Sequence, residues 1–336
     1  MGRATNATNV GGDLTRIKGK KVNGDRGVAV IIATFRGART IATAVRSALR
    51  EPEVREVVVV NDASPDDVEA VARSADDGTG RLKIIALGAN GGPARARNVG
   101  IEASSAPWIT VLDDDDYYEP GRLGRLFDLG AAQWDFVADD LWLTSEDDPA
   151  ATKTPMWFDG RPAAARLGLA AFVAANISDP RRAQRELGFL KPIMRRSFLE
   201  GRNLRYNEKL RLGEDYDLYA RALASGARFL LAPTQGYVAV RRPASLSARH
   251  GQGELKALRD ADTALLEYPT LTPPERAVLC RHRRQIDRKF RWQQLIDAVK
   301  ARDLAAVADA FSGAPTTSLF LLRNLAHQFA LRAGRR

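Results

Sequence analysis

The chain has 336 residues, 45% of them hydrophobic, and 51 Lys and Arg against 41 Asp and Glu give a net charge of +10. That length supports a sizeable core and two regions, and the single cysteine, Cys280, excludes a disulfide framework or a Cys-rich zinc site. No apolar run reaches the ~18 residues of a membrane span, and the polar stretch 1–26 lacks the apolar segment of a signal peptide, so a cytosolic protein is expected.

Residues 1–26 hold six basic and two acidic groups and residues 281–336 hold twelve and four, so both ends are basic around a slightly acidic middle. Such ends suit an anionic lipid surface, or simply a solvated face that aids solubility. Nucleic acid is not expected: zinc-finger, aromatic ribonucleoprotein and helix-turn-helix signatures are all missing.

The first 26 residues, rich in Gly, Asn, Thr and Lys, read as a disordered tail. Order begins at Val28–Ala33, a continuous apolar run typical of a strand buried on both faces. Thr40–Arg50 has helical spacing, Val57–Val60 is the second strand, and Ser64-Pro65 is predicted to start a helix. Leu82–Leu87 makes a third strand. Gly88, Gly91 and Gly92 form a loop before a helix from Pro93, and Trp108–Leu112 is the fourth strand. This alternation predicts a Rossmann-like α/β domain with a mostly parallel central sheet flanked by helices. Beyond residue 120 the pattern loosens. Phe136–Ala138, Leu141–Leu143, Leu190–Met194 and Phe229–Ala232 read as strands, and Ala163–Ala175 as a helix. From Glu254 the chain is mostly helical, with breaks at Thr272-Pro273-Pro274 and Gly313-Ala314-Pro315. Ser318–Arg332 places Leu319, Leu322, Leu325 and Phe329 near one face, a helix that could lie on a membrane surface or pack on the rest of the chain.

Three acid-rich turns carry the chemistry. Asp113 to Asp116 follow the fourth strand, and alternate residues at a strand end can present two carboxylates, Asp113 and Asp115, to one cation. Four consecutive Asp residues repel each other unless a cation is near, which favours a magnesium or manganese site over an acidic helix cap. Asp62, directly after the second strand, can accept hydrogen bonds from a base or ribose, or cap the next helix. Arg95, Arg97 and Asn98 follow the glycine loop on the first helical turns, a weak anion-binding signal. Glu214-Asp215 opens an amphipathic helix, where the helix dipole favours the ionised carboxylate; capping alone would also explain it.

Together these segments resemble the inverting nucleotide-sugar glycosyltransferases of family 2, whose domain has the GT-A fold. The resemblance runs from about Val28 to Leu246 through Val30–Phe35, Val60-Asn61-Asp62-Ala63-Ser64, Asn90–Ile101, Leu112–Asp116 and Gly213-Glu214-Asp215. Gly188–Pro192 with Arg195-Arg196 is similar to bacterial exopolysaccharide transferases of the succinoglycan type. The resemblance implies a GT-A domain over 27–250 and a helical basic C-terminal region over 251–336. It implies that Ala33, Phe35 and Asp62 line the base and ribose pocket with Arg97 nearby. Asp113 and Asp114 would face ribose and diphosphate, Asp115 with Asp113 would hold the divalent cation, Asp215 would be the general base and Glu214 would position the acceptor. Asn61 and Phe35-Arg36 depart from the family's usual Asp and Tyr-Asn.

The implied reaction moves one sugar from a nucleoside-diphosphate sugar, a UDP-sugar, to a hydroxyl of a polyprenyl-diphosphate-linked glycan acceptor at the inner face of the cytoplasmic membrane. Arg195 and Arg196 could meet that acceptor's diphosphate, and His250 could add a metal or phosphate contact; ordinary surface roles are the alternative for all three. Arg288–Trp292 resembles the Q-x-x-R-W signature of processive synthases, but Arg replaces the Gln and no membrane helices accompany it, so single addition is expected. A non-catalytic sugar-nucleotide or glycan-binding protein of the same fold is the competing reading, against which Asp215 argues, since binding needs no base. In a phosphatase-like α/β domain a lone Asp nucleophile would leave Glu214-Asp215 without a role.

Overall fold

The computed structural model describes residues 25–146, 152–157, 163–178, 186–242 and 251–333. His250 and most of the expected tail lie outside the described residues, as does the side chain of Phe329. Asp25 and Arg26, counted within that tail, are already anchored, pairing with Arg55 and Asp128.

The first half is the expected alternation: β1 (Val28–Thr34), α1 (Ile41–Leu49), β2 (Val54–Asn61), α2 (Val68–Arg73), β3 (Leu82–Ala86), α3 (Pro93–Glu102) and β4 (Trp108–Val111). These four strands are parallel, in the order β3-β2-β1-β4. Their unbroken apolar runs serve two cores at once. Ala29, Ile31, Val58 and Val60 face one cluster, while Val28, Val30, Ile32, Val57 and Val59 face the other, the period-2 alternation of a strand covered on both faces. Gly100 lets α3 lie against β1, because a Cβ there would come within 2.5 Å of Ile31.

The second half makes the sheet mixed. It comprises β5 (Tyr117–Tyr118), α4 (Arg122–Asp128), β6 (Phe136–Ser145), β7 (Thr154–Pro155), β8 (Ala165–Leu167), α5 (Leu169–Ala175), β9 (Ile193–Arg195), α6 (Arg196–Gly201), α7 (Glu214–Ala224) and β10 (Phe229–Arg241). β9 runs antiparallel between β4 and β6, β6 is parallel to β10, and β5 closes the edge antiparallel to β10. Three expectations are corrected. The helix predicted from Pro65 begins at Val68, because Asn61 accepts from the Ser64 amide at 2.8 Å and Asp66 from the Ala38 amide, holding 63–66 as a turn. The helix predicted over 163–175 is a strand and then a helix, split at Gly168 where Leu230 and Leu231 of β10 pair with β8. The two short strands expected over 136–143 are one, β6.

The C-terminal helices are α8 (Gln252–Leu265), α9 (Pro273–Ala301), α10 (Leu304–Ala310) and α11 (Pro315–Ala333). Thr272 and Glu275 form a capping box that starts α9. Leu255, Leu258, Leu279, Ile286 and Phe290 of α8 and α9 join the same core cluster as α7. A buried polar link adds to this: Asp262 accepts from the Tyr216 hydroxyl at 2.9 Å and lies 2.7 Å from His282 Nδ1, so the first turn of α7 is tied to both helices. On α11, Leu321 is buried against Leu295 and Ala310; of the expected apolar face, Leu325 packs nearby while Leu319 and Leu322 are 68% and 56% exposed. No described helix is long and apolar enough to cross a membrane. Within Arg288–Trp292, Phe290 is buried in the core and Arg291 donates to the Asp309 carbonyl, so the stretch is structural.

One buried carboxylate away from the acid turns gives a test of acid stability. Glu56 of β2 accepts from Lys83 at 2.6 Å and from the Ser105 and Ala106 amides at 2.8 Å each. Burial pushes its pKa up, but Lys83 and the Ser105 and Ala106 donors outweigh it and bring the group from 4.5 down to about 2. A carboxyl depressed on folding contributes stability that is complete above the unfolded pKa and is lost as pH falls through the folded one. Urea titrations of Glu56→Gln and the unsubstituted chain should therefore differ most near neutral pH and converge between about pH 4.5 and 2. A constant gap across that window would contradict the assignment.

Candidate active site

The acid turns meet at the C-terminal edge of the parallel strands, where loop backbones leave the sheet. Arg97, buried on α3, is the centre. It donates to Glu214 at 2.7 Å, Asp215 at 3.1 Å and Asp113 at 2.9 Å. Lys191, also buried, lies 2.7 Å from the other oxygen of Asp215 and 3.0 Å from Asp113. The Tyr206 hydroxyl donates to Asp215 at 3.0 Å and its ring lies under the Arg97 guanidinium. Two cations and three carboxylates thus form one buried cluster that joins β4, α3 and α7.

The electrostatics follow from that count. Burial opposes charge on Asp113, but Lys191 and Arg97 outweigh it and hold its pKa below the usual range. Burial likewise works against the Lys191 ammonium, and Asp113 and Asp215 prevail, so it stays protonated. Glu214 goes the other way: burial, with repulsion from Asp215, raises it despite Arg97. Asp114, Asp115 and Asp116 are all pushed up, by burial first and by neighbouring carboxylates as well. Asp114 reaches about 7 even though Thr34 donates to it. Gly37 allows that contact, since a Cβ there would come 2.1 Å from the Asp114 carboxylate.

The other expected residues divide by what they touch. Ala33 is half-buried at the end of β1 and Phe35, 38% exposed, stands beyond it with Arg36 over its ring. Asp62 is buried, and its two oxygens accept from the Gly91 and Gly92 amides at 2.8 Å each; here it shapes the glycine loop that leads into α3. Asp116 is withdrawn from the turn by the Tyr237 hydroxyl and the Val240 amide. Arg195 and Arg196 are engaged by the carbonyls of Ala131, Ala132, Trp134, Ala106 and Ile101, which consumes the donors an acceptor diphosphate would need. Sequence reasoning assigned no role to Lys191, Tyr206 or Arg242. Arg242 donates to Asp115 at 2.7 Å and to Glu146 at 3.0 Å.

Among the described residues no group of three or more His, Cys, Asp or Glu side chains is arranged to hold a metal. Magnesium shared with substrate phosphates needs only one or two protein carboxylates. Asp113 and Asp115 fit that requirement: their side chains are 33% and 38% exposed and they are hard oxygen donors.

The comparisons agree with this geometry. The sequence profile of Glycosyl transferase family 2 matches residues 29–169. The succinoglycan biosynthesis protein ExoU of Rhizobium meliloti (strain 1021) is 48% identical over 270 residues, 80% of this chain and 78% of that protein. ExoO, a succinoglycan biosynthesis protein of the same organism, is 35% identical over 311 residues, 92% and 86% of the two chains. In fold, S. aureus TarS 1-349 in complex with UDP-GlcNAc superposes with a TM-score of 0.65 at 18% identity over 85% of this chain and 79% of that one. The mannosyltransferase PcManGT of Pyrobaculum calidifontis, in complex with GDP-Man and Mn2+, gives 0.53 at 17% identity, covering 90% and 80%. With the carboxylate turns in place on a GT-A sheet and this identity over most of its length, the chain belongs to glycosyltransferase family 2.

Proposed function

We propose that the chain transfers one sugar, with inversion, from a UDP-sugar to a hydroxyl of a glycan carried on polyprenyl diphosphate, in the building of an exopolysaccharide. The observation that carries the reading is the buried Arg97–Lys191 cluster joining Asp113 to Glu214 and Asp215, because it holds the donor-side and acceptor-side carboxylates within one site. The similarity to two succinoglycan biosynthesis proteins supports the exopolysaccharide role.

Ala33 and Phe35 offer the base an apolar floor, and Asp62 sets the loop beside it. Asp113 and Asp114 face the ribose and diphosphate. Asp115 and Asp113 would hold magnesium or manganese, which when bound neutralises charge on the departing diphosphate. Asp215 accepts the proton of the attacking hydroxyl. Its Oδ1 is filled by Arg97 and Tyr206, whereas among the described residues Oδ2 accepts only from Lys191, leaving one lone pair for an acceptor. Glu214 beside it orients that acceptor. Attack from the face opposite the leaving diphosphate inverts the anomeric centre in a single displacement, and holding both substrates in line supplies much of the rate. Leu319 and Leu322, with Arg323 directly after them and Leu304 also solvent-facing, would touch the inner membrane surface where such an acceptor resides.

The test is release of nucleoside diphosphate from UDP-, GDP- and dTDP-sugars, with manganese or magnesium and a lipid extract as acceptor source. Metal-dependent, acceptor-dependent release from the UDP donor is expected. Calorimetry showing no binding of any nucleotide sugar in the presence of metal would remove the reading.

A further inference from the structure

A second concave site lies away from the acid cluster. A cavity of about 890 Å3 runs beside α1, between that helix, edge strand β5 and the bulged part of β10. Its volume falls in the ~300–1,000 Å3 range of small-molecule sites. Arg46 of α1 and Arg50 directly after that helix line it, with Tyr117 of β5 and Trp142 of β6, and the Lys153–Glu119 ion pair stands at one wall. Lys153 also lies over the Tyr117 ring, 5.6 Å from its centroid.

Two arginines one helical turn apart define the groove. Both are exposed, and neither has a carboxylate partner among the described residues. Like charges at i and i+4 on a helix repel, destabilising it slightly, so an anion placed between the two forks would stabilise this pair. A guanidinium matches a carboxylate with two parallel hydrogen bonds. The aromatic rings of Tyr117 and Trp142 supply broad apolar faces of the kind that the C–H faces of a pyranose cover. Guanidinium and aromatic face in one groove select a ligand with both features.

We propose that this groove binds a carboxylate-bearing saccharide, an acidic sugar of the growing glycan acceptor. The glycan source rests on the proposed transferase function; the recognition chemistry does not. Tyr117 directly follows Asp116, so the groove is connected to the acid turn through the chain.

The experiment is calorimetric titration of the full chain, saturated with UDP and manganese, with two probes. One is a tetrasaccharide alternating glucuronate and N-acetylglucosamine, and the other an uncharged glucan tetrasaccharide. The acidic probe should bind more tightly than the neutral one. Arg46→Gln/Arg50→Gln, two solvent-facing changes, should weaken the acidic probe roughly tenfold without altering UDP affinity, and Asp215→Asn should leave it unchanged. Equal binding of both probes, no binding of either, or an unaltered affinity in the double variant would each overturn the site. So would inorganic phosphate displacing the acidic probe as effectively as the acidic probe displaces itself, since that marks an anion site without sugar recognition. Loss of the acidic probe's binding site with transfer intact leaves the transferase standing; binding without transfer from any donor leaves the groove and removes the transferase.

Discussion

Asp215→Asn should lower turnover about a thousandfold and leave the affinity for UDP unchanged. A positioned general base contributes typically about 10²–10⁴ to the rate, and the proposed base, Asp215, keeps a lone pair open on the oxygen that Lys191 contacts. The fold should tolerate the change. The cluster holds Arg97 and Lys191 against Asp113, Glu214 and Asp215, so removing one negative charge brings it closer to balance. Steady-state kinetics with the cognate donor, alongside UDP calorimetry, measure both halves of the expectation. Turnover within tenfold of the unsubstituted enzyme would exclude Asp215 as the base. The same experiment with Glu214→Gln separates the two neighbours. Glu214 has one cationic partner and a raised pKa, and a larger loss there than at Asp215 would move the base to Glu214.

The largest expected effect on stability comes from Arg122. Its side chain is fully buried and donates twice to Asp139, at 3.0 and 2.7 Å, and once to the Lys191 carbonyl at 2.7 Å. The guanidinium also sits over the rings of Tyr118 and Tyr237. In Arg122→Met the Asp139 charge stays fully buried, with only the Gln235 and Tyr237 amides for company. Breaking such a pair by removing one partner costs about 3–5 kcal/mol. Denaturant unfolding should show a loss of that order, and adding Asp139→Asn should recover part of it because the stranded charge is gone. A single-variant loss below ~1 kcal/mol would show that water reaches Asp139. Because Arg122 also holds the Lys191 backbone, turnover should fall along with stability.

Much of the first half was legible in the chain because its signals are local. A continuous apolar run such as Val28–Ala33 has few other solutions than a strand covered on both faces, and Pro93 after Gly92 marks a helix start by backbone geometry alone. The acidic turns behind β4 and before α7 announced themselves by charge, since four adjacent carboxylates are unfavourable without a cation. Where the reading went wrong, a tertiary partner overrode local preference. Ala165–Leu167 has helical composition and became a strand because the β10 edge was available to pair with it. Pro65 was a good helix start, displaced because Asn61 and Asp66 hold the turn before it.

The sequence by itself determined the α/β alternation, the family, and the identity of the acidic residues, because each rests on periodicity, turn chemistry or a motif confined to a few consecutive positions. Only the tertiary structure decided which basic groups meet those acids. Lys191 reaches Asp215 from 24 residues away and Arg97 reaches it across 118, and Arg195 and Arg196, equally basic on paper, are spent on backbone carbonyls. It also made Asp62 a brace for the glycine loop and joined α8 and α9 to α7 through Asp262. The reason is physical: a buried charge persists only where the fold brings a partner to hydrogen-bonding distance, and that distance is set by the packing of elements far apart in the chain.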